Sequence, residues 1–378
     1  MTASRPATTS GDTEPTFLRV AMFASLLAAV GIPLSLLWDF SWESTVGIDR
    51  VWTAPHAMNY AAIALAGTSA LALIAGTTRR ARAVGVRLGK WQAPLGAWIA
   101  LWGTFVFLAA FLFDRWWQAG YGLVAGIWHP PQLLKAVAFF AVTIGVWILA
   151  AVRGGALVFA AAGAVVLTMI GVVSLASNFA NRQHSAPFFQ IACGTYPIVL
   201  VALGVAGRGR FPATLAALVY TVLWGAMVWL LPLLPGEPLV APIYHPRDHL
   251  LPPPFPLLLV LPALAIDALL RVFPGRSQSP AGWGAAAEGG LAFGIVLLVT
   301  QWSFAQFLLS PAADNRFFAG GGRHWPFFLA INPEAQTSFW ITPRDSMNLP
   351  RSLTALALAV LAARIGLWIG AWMKNLRR

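Results

Sequence analysis

The chain is short of charge. Of its 378 residues only 10% are Asp, Glu, Lys or Arg, while 58% are hydrophobic and the mean hydropathy is +0.70. A water-soluble domain needs a polar surface that so few charges cannot supply, so the composition describes a polytopic membrane protein. Cysteine is nearly absent. Cys193 stands alone, which excludes an internal disulfide and a thiolate metal cluster. Neither a Gly-rich phosphate loop nor a lipid-facing strand pattern occurs. The opening "MTASRPATTSGDTEPT" has no apolar core, so residues 1–16 read as a disordered cytoplasmic tail and not as a cleavable signal.

What is present is a series of long apolar runs. About 20 such residues cross the hydrocarbon core as a helix. Ten runs qualify: 17–38, 56–77, 92–113, 131–152, 155–177, 189–207, 212–234, 254–273, 286–309 and 351–373. The expected fold is therefore all-α, a single domain of about ten transmembrane helices over 17–378. Its polar outer loops are expected at 39–55, 114–130, 178–188, 235–253 and 310–350.

Loop charge orients it. One side carries fifteen of the 25 basic residues and four of the 13 acids, whereas the other has nine of each. Basic loops stay in the cytoplasm, so both termini are expected there, in a bacterial inner membrane. The net charge of +12 is thus explained by topology, without a nucleic-acid partner.

All six histidines, His56, His129, His184, His245, His249 and His324, then fall on the outer face. Prolines mark where the chain re-enters the membrane, at Pro55, Pro130 and Pro131, Pro187, Pro252 to Pro254, and Pro350, as suits a first helical turn. Four of these entries place a histidine within three residues of the proline. The positive end of a helix dipole disfavours imidazolium, and neutral imidazole is the form that ligates metals. The alternative is that His and Trp serve as amphipathic interface anchors.

In "HPRDH", His245, Asp248 and His249 stand at i, i+3 and i+4. That spacing brings two imidazoles and a carboxylate to one helical face, a donor set suited to copper, iron or zinc. A polar turn, with Asp248 on Arg247 or a backbone amide, is the other reading. In "WDFSWESTVGIDRVWTAPH", Asp39, Glu43, Asp49 and His56 lie among Trp38, Trp42 and Trp52. Carboxylates beside apolar rings are expensive to desolvate unless paired, so Asp39 and Asp49 are candidates to orient ligands or relay protons. A third stretch offers Asp114 and His129 as a pair, with Lys135 free to snorkel outward. At the inner ends, Asp267 and Arg271 form an i,i+4 pair, and Arg364 is expected to seek Asp267 or Glu288.

Two stretches carry a family resemblance. "DRVWTAPHAMNY", with Asp49, Arg50, Trp52 and Pro55, and "FPLLLVLPALAIDALL", with Pro256, Pro262, Ala263 and Asp267, resemble parts of the hydrophobic A subunit of copper membrane monooxygenases. That subunit has fewer spans, and its family's metal ligands generally lie in other subunits. The resemblance thus implies a membrane-embedded, copper-linked oxidation setting and carries no ligand onto this chain.

The resulting expectation is an outer-face metal site, copper foremost, with His245, Asp248 and His249 as core ligands and His56 and His129 next. Its chemistry would be oxidation of a small apolar substrate reached from the bilayer, with other membrane subunits as partners. A transporter of a small solute or metal, a scaffold or assembly subunit, and a transferase acting on a lipid-linked substrate are the competing classes.

Overall fold

The computed structural model describes residues 16–47, 51–79, 85–122, 127–177, 183, 185–237, 248–272, 282–320 and 346–376. The ten helices among them are α1 (Thr16–Thr45), α2 (Ala54–Arg79), α3 (Leu95–Tyr121), α4 (Pro130–Arg153), α5 (Ala156–Ala176), α6 (Ala186–Ala206), α7 (Pro212–Leu230), α8 (Val260–Val272), α9 (Trp283–Leu308) and α10 (Leu349–Asn375). Nine are long and apolar enough to cross a membrane, so the chain is an all-α, multi-pass membrane protein. Their exposed surface is apolar, with Trp102, Leu112, Val222, Val299 and Trp368 turned outward, as contact with lipid requires.

Without a hydrophobic drive between helices in lipid, close packing has to come from small residues. α3 and α4 show how. A Cβ on Gly96 would sit 2.2 Å from the Gly145 carbonyl oxygen, and one on Gly103 would sit 2.9 Å from the Ala138 oxygen. α10 meets α6 in the same way, where Gly366 lies against the Pro197 and Ile198 carbonyls and Gly370 against Ala202. Pro197 cannot donate to the helix ladder, and α10 packs against the turn it begins.

Polar side chains join α1 to α2. Ser25 Oγ donates to Ser69 Oγ (2.9 Å), and Asn59 Nδ2 donates to Ser35 Oγ (2.9 Å). At the opposite end of the bundle a short hairpin, β1 (Val86–Leu88) with β2 (Trp91–Ala93), turns at Gly89, whose φ of +58° suits glycine.

Two differences from the expected spans matter for function. α1 and α3 run several residues further than hydropathy implies, so Asp39, Glu43, Asp114 and Arg115 are helical and not in loops. The eighth pass is not one helix. α8 has 13 residues, about 20 Å at 1.5 Å per residue. Residues 251–259 before it are non-helical, with Leu251, Pro252, Pro253, Pro254 and Leu259 buried.

Buried backbone at membrane depth must have its polar groups satisfied within the protein. Proline explains how this stretch manages. Pro252, Pro253, Pro254 and Pro256 have no N–H to satisfy. Of the remaining amides, Leu257 N donates to Tyr220 Oη (3.2 Å), Leu258 N to Gln301 Oε1 (3.0 Å), and Leu259 N to the Leu257 carbonyl (2.8 Å). The Pro254 carbonyl accepts from Trp224 Nε1 (2.7 Å).

At its inner end this pass is held by Asp267. Its carboxylate accepts from Ala213 N (3.3 Å), Thr214 N (2.8 Å) and Thr214 Oγ1 (2.8 Å), and so caps the start of α7 from another helix. Arg271, expected as its ion-pair partner, lies with its guanidinium 4.0 Å from the Phe211 ring centroid. Arg364 stands 5.8 Å from the Trp283 ring.

Candidate functional site

The outer ends of α1 and α2 bring two of the expected site residues together. Thr53 caps α2, with its Oγ1 accepting from His56 N (3.4 Å), and this fixes His56 in the first helical turn. His56 Nε2 then stands 3.5 Å from Asp39 Oδ1. The imidazole stacks on Tyr60 (centroids 5.9 Å apart), which is held edge-on by Trp52 and Phe111 at 5.6 Å each. Asp39 Oδ1 is buried and accepts no hydrogen bond among the described residues, and the imidazole stands beside it.

Asp248 and His249 form a second pair, His249 Nδ1 lying 2.7 Å from Asp248 Oδ1. The Asp248 side chain is 96% exposed and that of His249 22%. The hydrogen bond from His249 holds the Asp248 carboxyl below its ordinary value of 3.8. The turn itself is pinned from both sides. Leu251 N donates to Thr45 Oγ1 (2.9 Å) and Ser41 Oγ donates to the Leu251 carbonyl. Gly236 N donates to the Asp248 carbonyl (3.1 Å) and Leu250 N to the Leu234 carbonyl (3.0 Å).

The two pairs use different faces of α1. Ser41 and Thr45, one turn apart, hold the 248–251 turn. Asp39 is two residues from Ser41, about 200° around the helix, and faces α2. Among the described residues no group of three or more His, Cys, Asp or Glu side chains comes together as metal ligands would. His56, His129, Asp248 and His249 are therefore not one cluster. Asp49, His184, His245, Arg247 and His324 lie outside the described residues.

His129 precedes α4 with extended backbone, and its carbonyl accepts from Leu133 N (2.9 Å). Its expected partner Asp114 is engaged elsewhere. It accepts from Lys135 Nζ (2.6 Å), Gln118 Nε2 (3.1 Å) and Gln132 Nε2 (3.5 Å). Asp114 is buried and the lysine reaches it directly, so a charge pair replaces the expected carboxylate–imidazole contact.

Sequence reasoning passed over the polar side chains around the interrupted pass. Gln301 is fully buried in α9, and besides accepting from Leu258 N it donates from Nε2 to Gln183 Oε1 (2.8 Å). Tyr220 and Trp224 of α7 supply the other two contacts. The available signal was a glutamine inside an apolar span, opposite a span with four prolines at its entrance. Compared with protein-family models, curated proteins and solved structures, the chain matches none.

Proposed function

We propose that the chain is a bacterial inner-membrane protein that binds a transition metal, copper foremost, through histidines at its outer face. The observation that supports this most is the 2.7 Å bond between His249 Nδ1 and Asp248. Metal-ligating histidines commonly donate their second ring nitrogen to a carboxylate, which fixes the tautomer. With Nδ1–H on Asp248, the Nε2 lone pair of His249 is left for a cation. In this reading Asp248 orients His249, as Asp39 does His56 from the other face of α1, so each histidine would supply one donor to a separate ligand group.

A bound copper ion would supply redox chemistry, and the substrate class that reading implies is a small apolar molecule entering from the bilayer, with other membrane subunits alongside. Metal analysis of purified full-length protein tests it. Stoichiometric metal in the wild type, lost in a His56→Ala/His249→Ala double variant, supports the reading. Absence of stoichiometric metal from protein purified after copper loading sinks it.

A second reading has its own observation. Non-helical backbone at membrane depth is a recurrent feature of transporters, and the eighth pass has it. On that reading the chain carries a small solute. Proteoliposome uptake of small neutral solutes, compared with protein-free vesicles, separates it from the first.

A further inference from the structure

The interrupted eighth pass borders a cavity of about 20 Å3, bounded by Ser174, Gln183, Tyr196, Trp224, Pro254 and neighbouring apolar side chains. None of its lining residues is charged. A water molecule needs about 10–15 Å3 of such space and two to four polar partners. The space is adequate for one.

The partners follow from hydrogen-bond counting. Gln183 is 2% exposed, and its carbonyl oxygen accepts from Gln301, which leaves its NH2 donors uncommitted among the described residues. Tyr196 and Tyr220 are buried neighbours with ring centroids 6.4 Å apart, and the Tyr220 oxygen accepts from Leu257 N. Two hydroxyls carry two protons. Tyr196, which lines the cavity, has its own to donate. Ser174 contributes a hydroxyl at the same wall, while its carbonyl accepts from Ser177 Oγ. A burial this complete normally leaves no polar group without a partner.

From this we infer that the cavity is a binding site for one neutral, water-sized molecule that both donates and accepts hydrogen bonds, the resident being water. It accepts from the Gln183 amide and a tyrosine hydroxyl and donates to Ser174 Oγ. It thereby extends the chain of contacts that runs from Leu258 N through Gln301 to Gln183. The inference is independent of the outer-face histidines.

Xenon separates a hydrated polar cavity from a dry apolar one, since apolar cavities stay dry and take up xenon. The experiment is a high-resolution structure of the full-length protein, alone and under xenon pressure. The expected result is one ordered water within hydrogen-bond distance of the Gln183 amide, and no xenon there. A Gln183→Leu/Tyr196→Phe variant should lose that water and admit xenon. Xenon bound in the wild-type cavity, with no ordered water in the xenon-free structure, overturns the inference. That arm needs no variant to fold.

Discussion

Gln183 and Gln301, 118 residues apart, share an amide–amide hydrogen bond of 2.8 Å that ties the entrance of α6 to α9 and, through Leu258, to the eighth pass. A side-chain amide here does the work of a helix ladder.

Replacing Gln301 by Leu strands the Leu258 N–H in a buried setting. An unsatisfied buried donor costs about 1–3 kcal/mol, so the variant should unfold several degrees below wild type in detergent thermal scans. Gln301→Glu keeps an acceptor for Leu258 N and should lose less only if the acid is protonated. Its deficit should therefore grow as pH rises.

Asp267 should matter through α7 and not through Arg271. Its carboxylate takes two backbone amides and one hydroxyl at the start of that helix. Loss of a helix cap costs about 0.5–2 kcal/mol, and Asp267→Ala should fall at the upper end of that range. Arg271→Ala leaves all three bonds in place and should be milder. Equal losses in chemical-denaturation midpoints would contradict this assignment.

Gly96 and Gly145 set how closely α3 and α4 approach. A Cβ on either meets backbone atoms at 2.2–2.7 Å, and backbone cannot swing aside as a side-chain tip can. Overpacking of this kind costs about 1–3 kcal/mol, so Gly96→Val should lower thermal stability by at least that much. Gly120→Ala, with open space around its Cβ, is the control.

The Asp248–His249 turn should loosen in acid. The folded carboxyl titrates below its ordinary value, so its contribution is complete above the unfolded value and is lost as pH falls through the folded one. The window lies below pH 3.8. Hydrogen exchange at Gly236 and Leu250 should accelerate there in wild type, and Asp248→Asn should remove that pH dependence.

His56 and His249 should contribute separately to metal binding, because α1 stands between them. Outer-shell carboxylates typically tune affinity by about 10–100-fold. Asp39→Asn should then weaken the His56 group, and Asp248→Asn the His249 group, with additive effects in isothermal titration. Complete loss from either single variant would point to one shared centre instead.

Nine of the ten expected spans were legible because a run of about 20 apolar residues is a demand of the bilayer and not of neighbouring side chains. The outer ends of α1 and α3 were less so. Asp39 and Asp114 interrupt the hydropathy signal, yet each is accommodated in a helix whose neighbour offers His56 or Lys135. That compensation is tertiary. The eighth pass misled for the opposite reason. "LPPPFPLLLVLPALAID" is apolar enough for a full span, and only its prolines hinted that half of it is non-helical. The Asp248–His249 contact was within reach of spacing arguments. The separation of that pair from Asp39–His56 depends on which faces of α1 are used, and no local pattern encodes it.

The eighth pass also bears on the order in which the protein is built. An isolated segment entering lipid has to satisfy its backbone by itself, and residues 251–259 cannot. Two of their partners, Tyr220 and Trp224, are synthesised earlier, but Gln301 follows Leu258 by 43 residues. The Leu258 amide can therefore meet its partner only after α9 has been made. Passes eight and nine are thus expected to enter the bilayer together.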